Sequence, residues 1–196
     1  NGEVELARML IGADGGSVAI KQVMMSVNKT SLIDLNNFRL LRGSFPMPTQ
    51  EYSIINAFDG SDLYAGAVSQ DNNTLVIAFA EEEIVSGNGQ VYSLRATVQG
   101  ATAGQWVAAG HLNAYPDEAE PKTGYLLSND WYAPYAVSSQ LFHVGDYTGC
   151  DNGGACWHVM GAFVWSDMSE NPHSTESRDW TNEQHVLGLA QTWQLN

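Results

Sequence analysis

TLVIAFA, residues 74 to 80, alternates Leu75, Ile77 and Phe79 against Thr74, Val76 and Ala78. A period of two puts one set on each face of an extended chain, whereas a helix would need apolar spacings of three and four. The stretch therefore reads as a β-strand, and the same reading extends outward in both directions. QVYSLRATV (90 to 98) alternates Tyr92, Leu94, Ala96 and Val98 against Val91, Ser93, Arg95 and Thr97, and it follows the turn signal Ser86-Gly87-Asn88-Gly89. SVAIKQVMMSV (17 to 27) places Val18 and Ile20 on one face, then Val23, Met25 and Val27 on a face offset by one residue. That offset predicts a β-bulge near Lys21 and Gln22.

Five further stretches read as strands: 4 to 12, 38 to 43, 104 to 115, 157 to 165 and 185 to 195. The turn Asp14-Gly15-Gly16 is expected to join 4–12 and 17–27 as a hairpin. A short helical turn fits only at LIDLNNF (32 to 38) or at Glu81-Glu82-Glu83, and no segment sustains a longer helical period. The fold expected is all-β, an antiparallel β-sandwich of Greek-key, jelly-roll or Ig-like type. At 196 residues the chain suits one domain with one core, spanning 1–196.

Alternation is lost from Tyr115 to Trp157, where eight aromatics concentrate, and this reads as a long aromatic-rich insertion over approximately 115–157. Trp131, Tyr132, Tyr135 and Trp157 are its candidate ligand or partner surface, although rings that merely cover one end of a sandwich would look the same. Cys150 and Cys156, the only two cysteines, flank Asp151-Asn152-Gly153-Gly154-Ala155. The spacing does not match haem attachment, and a zinc site with His158 lacks a second ligand pair, so a small disulfide ring is expected. A disulfide would point outside the cytoplasm.

Eight Lys and Arg against 22 Asp and Glu give a net charge of −14, and between Arg95 and Arg178 the only base is Lys122. No cationic face for a phosphate backbone can be built from this, so nucleic acid is not an expected partner. Such acidity suits divalent cations, a structural calcium ion among them, but no specific metal motif is present and no cofactor is expected. No apolar run approaches the roughly 20 residues that cross a bilayer. The chain begins at Asn1 without a signal-peptide pattern and is expected to be a processed chain or an excised piece, its export signal lying elsewhere.

FVWSDMSENPHSTESRDWTN (163 to 182) sets Ser166, Asp167, His173, Ser174 and Asp179 between two tryptophans, residue types that suggest a hydrolase. No G-x-S-x-G surrounds either serine, and the spacing is not diagnostic of a metal. A mechanical role accounts for more of these residues. Trp165 ends a strand, Trp180 returns the chain to the core, and Asp179 caps the turn that follows; with Asp167 and His173 they form a structural clasp, both tryptophans being expected to be largely buried. Asp117, Glu118 and Glu120, the nearest thing to paired glycosidase acids, read as a solvated loop. Asn28 (Asn-Lys-Thr) and Asn72 (Asn-Asn-Thr) are glycosylation sequons.

Phe163-Val164-Trp165-Ser166-Asp167, His173-Ser174-Thr175, Asp179-Trp180-Thr181-Asn182 and Val186-Leu187-Gly188-Leu189 together resemble a recurring C-terminal module of large cell-surface proteins of uncultivated candidate-phyla bacteria. In that module a Gly-Tyr pair follows the D-W-T-N motif, where this chain has Glu183-Gln184. The resemblance covers about the last 30 residues, with an echo in 7–27 and 74–98, and implies a surface-exposed structural role without catalytic residues. The expectation is thus an extracellular, non-catalytic subunit of a surface layer, filament or appendage at the cell surface. Its partners would be copies of itself or other surface subunits. The alternative is a carbohydrate-binding or adhesive module that uses the aromatic insertion on glycans.

Overall fold

The computed structural model describes residues 1–56, 61–64, 74–111, 163–174, 180–182 and 190–194. The described elements are β1 (Gly2–Ile11), β2 (Ser17–Lys29), β3 (Asp34–Arg42), β4 (Phe45–Pro46), β5 (Tyr52–Asn56), β6 (Thr74–Ser86), β7 (Gln90–Gln99), β8 (Trp106–His111), β9 (Phe163–Ser166), β10 (Trp180–Asn182) and β11 (Ala190–Gln194). All ladders are antiparallel. One sheet has the order β1-β7-β3-β4; the other has the order β10-β9-β2-β6-β5, with β8 also on β2 and β11 on β8. The two sheets pack face to face as a β-sandwich. Among the described residues no helix is long and apolar enough to cross a membrane.

Ile20, Val23, Met25 and Val27 of β2 and Leu75, Ile77 and Phe79 of β6 face Leu35, Phe38 and Leu40 of β3 and Tyr92, Leu94, Ala96 and Val98 of β7 in one core. The expected bulge is present. Both ladders of β2 shift register between Ile20 and Gln22: against β9 Lys21 is the one extra residue, which carries the inward face from Ile20 to Val23, while against β6 four residues, 79–82, stand opposite it. A second bulge in β1 adds Leu6, and a third in β3 holds Asn37 at φ 52, a conformation that Asn tolerates better than most residues.

The strands at 4–12 and 17–27 do not form the expected hairpin. β1 pairs with β7 and β2 with β6, so the Asp14-Gly15-Gly16 turn crosses from one sheet to the other. Ser86-Gly87-Asn88-Gly89 makes the same crossing between β6 and β7. The two turns lie against each other, backbone on backbone. A Cβ on Gly87 would stand 3.2 Å from the Ala13 carbonyl oxygen, and one on Gly89 (φ +76) would stand 3.2 Å from that of Ile11. Neither helical turn forms. Asp34–Phe38 belongs to β3, and Glu81–Glu83 belongs to β6, where it faces the β2 bulge.

β8 and β9 occupy one edge of β2 end to end: His111 pairs with Met25, and Phe163 with Val23. The described part of β8 ends, and β9 begins, two positions apart along β2, about 7 Å at strand rise. The insertion expected over 115–157 lies outside the described residues. β11 and β10 flank β8 and β9 in the same end-to-end way. Ala19, Gln22 and Met24 of β2, Val76 of β6 and Val164 of β9 are also buried, although they point away from the first sheet. The second sheet is thus covered on both faces, which is why its strands carry apolar residues at consecutive positions.

Candidate functional site

Part of that outer cover is the segment that follows β9. Ser166 is fully buried, and its Oγ accepts the Met168 N–H at 2.9 Å; Asp167 Oδ1 accepts the Ser169 N–H at 3.1 Å. These two side chains turn the chain off the strand, and Met168 takes φ +57 at the turn. The segment then crosses the outer face of β2. Met168 packs on Ala19 and Val164, and His173 reaches β6, where its Nε2 lies 2.8 Å from Glu82 Oε2. The His173 side chain is only 9% exposed.

This geometry decides what Ser166 and His173 can do together. A nucleophile–base pair needs the hydroxyl in an open site and hydrogen-bonded to the imidazole. Here the hydroxyl is enclosed and serves a turn, while the imidazole meets a carboxylate on another strand. Among the described residues no three His, Cys, Asp or Glu side chains converge on a metal position.

Trp165 pairs with Ile20 on one side and with Thr181 on the other, and its ring packs against the edge of the main core. It is half-buried, not largely buried as expected. β9 ends one residue later, whereas β2 continues toward its turn, so the ring forms a wall of an open cleft of about 460 Å³ beside Gly12–Val18. Its indole Nε1 is enclosed without a hydrogen-bond partner. Trp180 aligns with Ser166, which ties β10 to the strand the segment leaves. Asp179 lies outside the described residues, as do Cys150, Cys156, Trp131, Tyr132, Tyr135, Trp157 and Asn72. Asn28 is exposed near the end of β2, and the Thr30 hydroxyl of its sequon is buried.

One polar cluster has no counterpart among the sequence candidates. Arg42 on β3 donates from Nε and Nη2 to both oxygens of Glu83 on β6, at 2.8 and 2.6 Å, and from Nη2 to Glu51 Oε2 at 3.1 Å. Tyr92 on β7 donates its hydroxyl to Glu83 Oε1 at 2.6 Å. Burial, then the bond to Glu83, pushes the Tyr92 phenol far above its ordinary range, and the hydrogen bond to Glu83 raises the Arg42 guanidinium. Lys21 of β2 donates its ammonium to the Ala80 carbonyl of β6 at 2.8 Å and is lowered by burial, with Glu81 and Glu82 opposing. Tyr92 and Arg42 were legible only as members of strands. The glutamate that gathers them sits in a triplet whose consecutive residues point to opposite faces, Glu82 toward His173 and Glu83 toward the other sheet.

Comparison with protein-family models, with curated proteins and with solved structures finds no match for this chain.

Proposed function

We propose that this chain is a non-catalytic structural subunit of an extracellular assembly such as a surface layer, a filament or an appendage, and that subunits join by strand addition at β1. The observation that supports this is the place of β1 in the sandwich. Among the described residues it is an edge strand of ten residues, paired with β7 from Gly2 to Ile11. It approaches β8 and β11 of the other sheet but forms no ladder with them. A long edge presents unpaired N–H and C=O groups, and soluble proteins usually shield them with short strands, Pro or charge. β1 has no proline, and Leu10 near its end is 74% exposed. A copy paired there makes a head-to-tail contact, which produces a ring or an open fibre. The engagement of Ser166 in a turn and of His173 with Glu82 fits a mechanical role for the β9 segment. Electron microscopy and sedimentation of the purified chain test the reading: ordered lattices, rings or fibres are expected, and a strictly monomeric particle at all concentrations would overturn it.

A further inference from the structure

The cleft beside Trp165 begins where β1 ends, at Ile11, and shares no residue with the Arg42–Glu83 cluster. It arises from a mismatch in strand length. β9 stops at Ser166 opposite Ala19, but β2 begins two residues earlier, at Ser17. Among the described residues, Ser17 and Val18 pair with β6 on one side only, opposite Ser86 and Val85. Their other backbone edge, together with the Gly12–Gly16 turn, lines the cleft. Gly15 and Gly16 leave part of that wall bare; a Cβ on either would meet nothing within 4 Å.

The lining is divided in character. Ile11, Val18, Phe163 and Trp165 form an apolar floor, and each packs in or against the main core, so the floor is fixed in place. Asp14 and Asp167, both exposed, supply carboxylates at the rim, and Ser17 adds a hydroxyl. Among the described residues no Lys or Arg lines the cleft. Carboxylates without a cation repel phosphates, uronates and other anions. They accept hydrogen bonds from hydroxyl donors, and an indole offers a flat apolar surface to the C–H face of a ring. About 460 Å³ lies within the range of small-molecule sites and accommodates one or two ring units.

We infer that this cleft binds a neutral saccharide, stacked on the floor at Trp165 with its hydroxyls donated to Asp14 and Asp167. The lining residues are none of those in the aromatic stretch 115–157. The polymer that carries the saccharide passes over Gly15 and Gly16, which add no side chain to the turn.

The test uses the full chain, isotope-labelled, titrated with neutral cello-, xylo-, manno-, malto-, laminari- and chito-oligosaccharides and observed by amide and indole NMR. At least one is expected to shift the Trp165 indole signal, assigned with Trp165→Phe, together with the amides of 12–18. Asp14→Ala, on an exposed turn that leaves the fold intact, is expected to weaken that sugar roughly tenfold, and Trp165→Phe by at least as much. Three outcomes overturn the inference: no neutral oligosaccharide shifts these signals, the shifts map elsewhere on the chain, or binding survives Asp14→Ala unchanged. Stronger shifts with lysine or choline than with any sugar would make this a cation site and overturn it equally.

Discussion

Arg42 on one sheet and Glu83 on the other meet as a two-pronged pair, 2.8 Å from Nε to Oε1 and 2.6 Å from Nη2 to Oε2. With the Tyr92 hydroxyl on the same carboxylate, the contact links β3, β6 and β7 at one end of the sandwich. A hydrogen bond to a charged group contributes about 1.5–3 kcal/mol, and removing the shared acceptor strands both donors. Glu83→Ala is therefore expected to lower unfolding stability by about 2–3 kcal/mol in a urea titration, and Tyr92→Phe by about 1 kcal/mol, because it removes one bond and leaves the fork intact. Equal losses for the two would show that Glu83 does not gather the cluster.

The same cluster sets a pH dependence. Tyr92 and Tyr52 both have phenols raised above the ordinary value of 10.0, each chiefly by burial. Below pH 10 both the folded and the unfolded chain hold these protons, and stability is unaffected. Above it the unfolded chain releases them first and so binds fewer protons, which makes stability fall as pH rises, by up to about 1.4 kcal/mol per pH unit for each tyrosine. Lys21, lowered from 10.5, acts in the opposite sense as pH climbs toward that value, one group against two. Unfolding midpoints measured from pH 8 to 11.5 should drop above pH 10, and Tyr92→Phe should flatten the drop.

Gly100 and Gly104 lie on the path from β7 to β8 with similar positive φ, +74 and +85, but in different surroundings. A Cβ on Gly100 would sit 2.6 Å from the Leu32 carbonyl oxygen, whereas one on Gly104 would meet nothing within 4 Å. Left-handed backbone costs an L-residue about 1–2 kcal/mol on its own. Gly104→Ala should show that loss and little more. Gly100→Ala must also displace a backbone carbonyl and is expected to cost at least about 1 kcal/mol beyond it. Matched thermal melts of the two variants make the comparison.

Strand identity was legible because most strands here bury one face fully, and period two survives in β6, β7 and the two halves of β2. Pairing was not. Asp14-Gly15-Gly16 and Ser86-Gly87-Asn88-Gly89 have hairpin composition, yet composition specifies a reversal with positive φ and not the sheet the chain enters next. β5 escaped notice because Ile54 and Ile55 are adjacent and both buried, one on each side of a sheet covered on both faces. In the clasp, Ser166 and Asp167 were readable as turn formers. The contact between His173 and Glu82 joins residues far apart in sequence, and nothing local announces it.

His173 anchors the far end of the β9 segment, and Ser166 anchors the near end. His173→Ala removes a nearly buried side chain and its close contact with Glu82 Oε2, which is not a well-formed hydrogen bond, and Ser166→Ala leaves the Met168 N–H without its acceptor. Each is expected to cost about 1–2 kcal/mol. The loss should be local: native-state hydrogen exchange is expected to speed up over 167–174 while the amides of β3 and β7 keep their protection. Faster exchange throughout both sheets would mean that the segment supports the whole fold and does not simply cover one face.

Assembly through β1 must overcome the repulsion of chains that each carry −14. On the outer face of the first sheet that repulsion is offset by ion pairs. Arg95 Nη1 lies 2.9 Å from Glu3, Arg39 lies 3.7 Å from the same carboxylate, and Arg8 pairs with Glu5 at 2.9 Å, so three of the chain's eight cations are gathered beside two acids. A neighbour that docks along β1 meets this balanced face, and the remaining net charge is held elsewhere. Raising salt from about 0.05 to 0.5 M shortens the screening length to a few ångströms, so assembly should strengthen and not weaken. Truncating β1 is not a usable test, because Leu6 and Ala7 are part of the core. Leu10→Glu is usable: the side chain is exposed, so the subunit still folds, while the edge gains a charge of the sign it must avoid. The variant is expected to remain monomeric by sedimentation at concentrations where the parent chain assembles. An interface of more than about 1,000 Å² should then be visible in the parent assembly with β1 at its centre. If the Leu10→Glu chain assembles as the parent does under the same salt, β1 is not the connector.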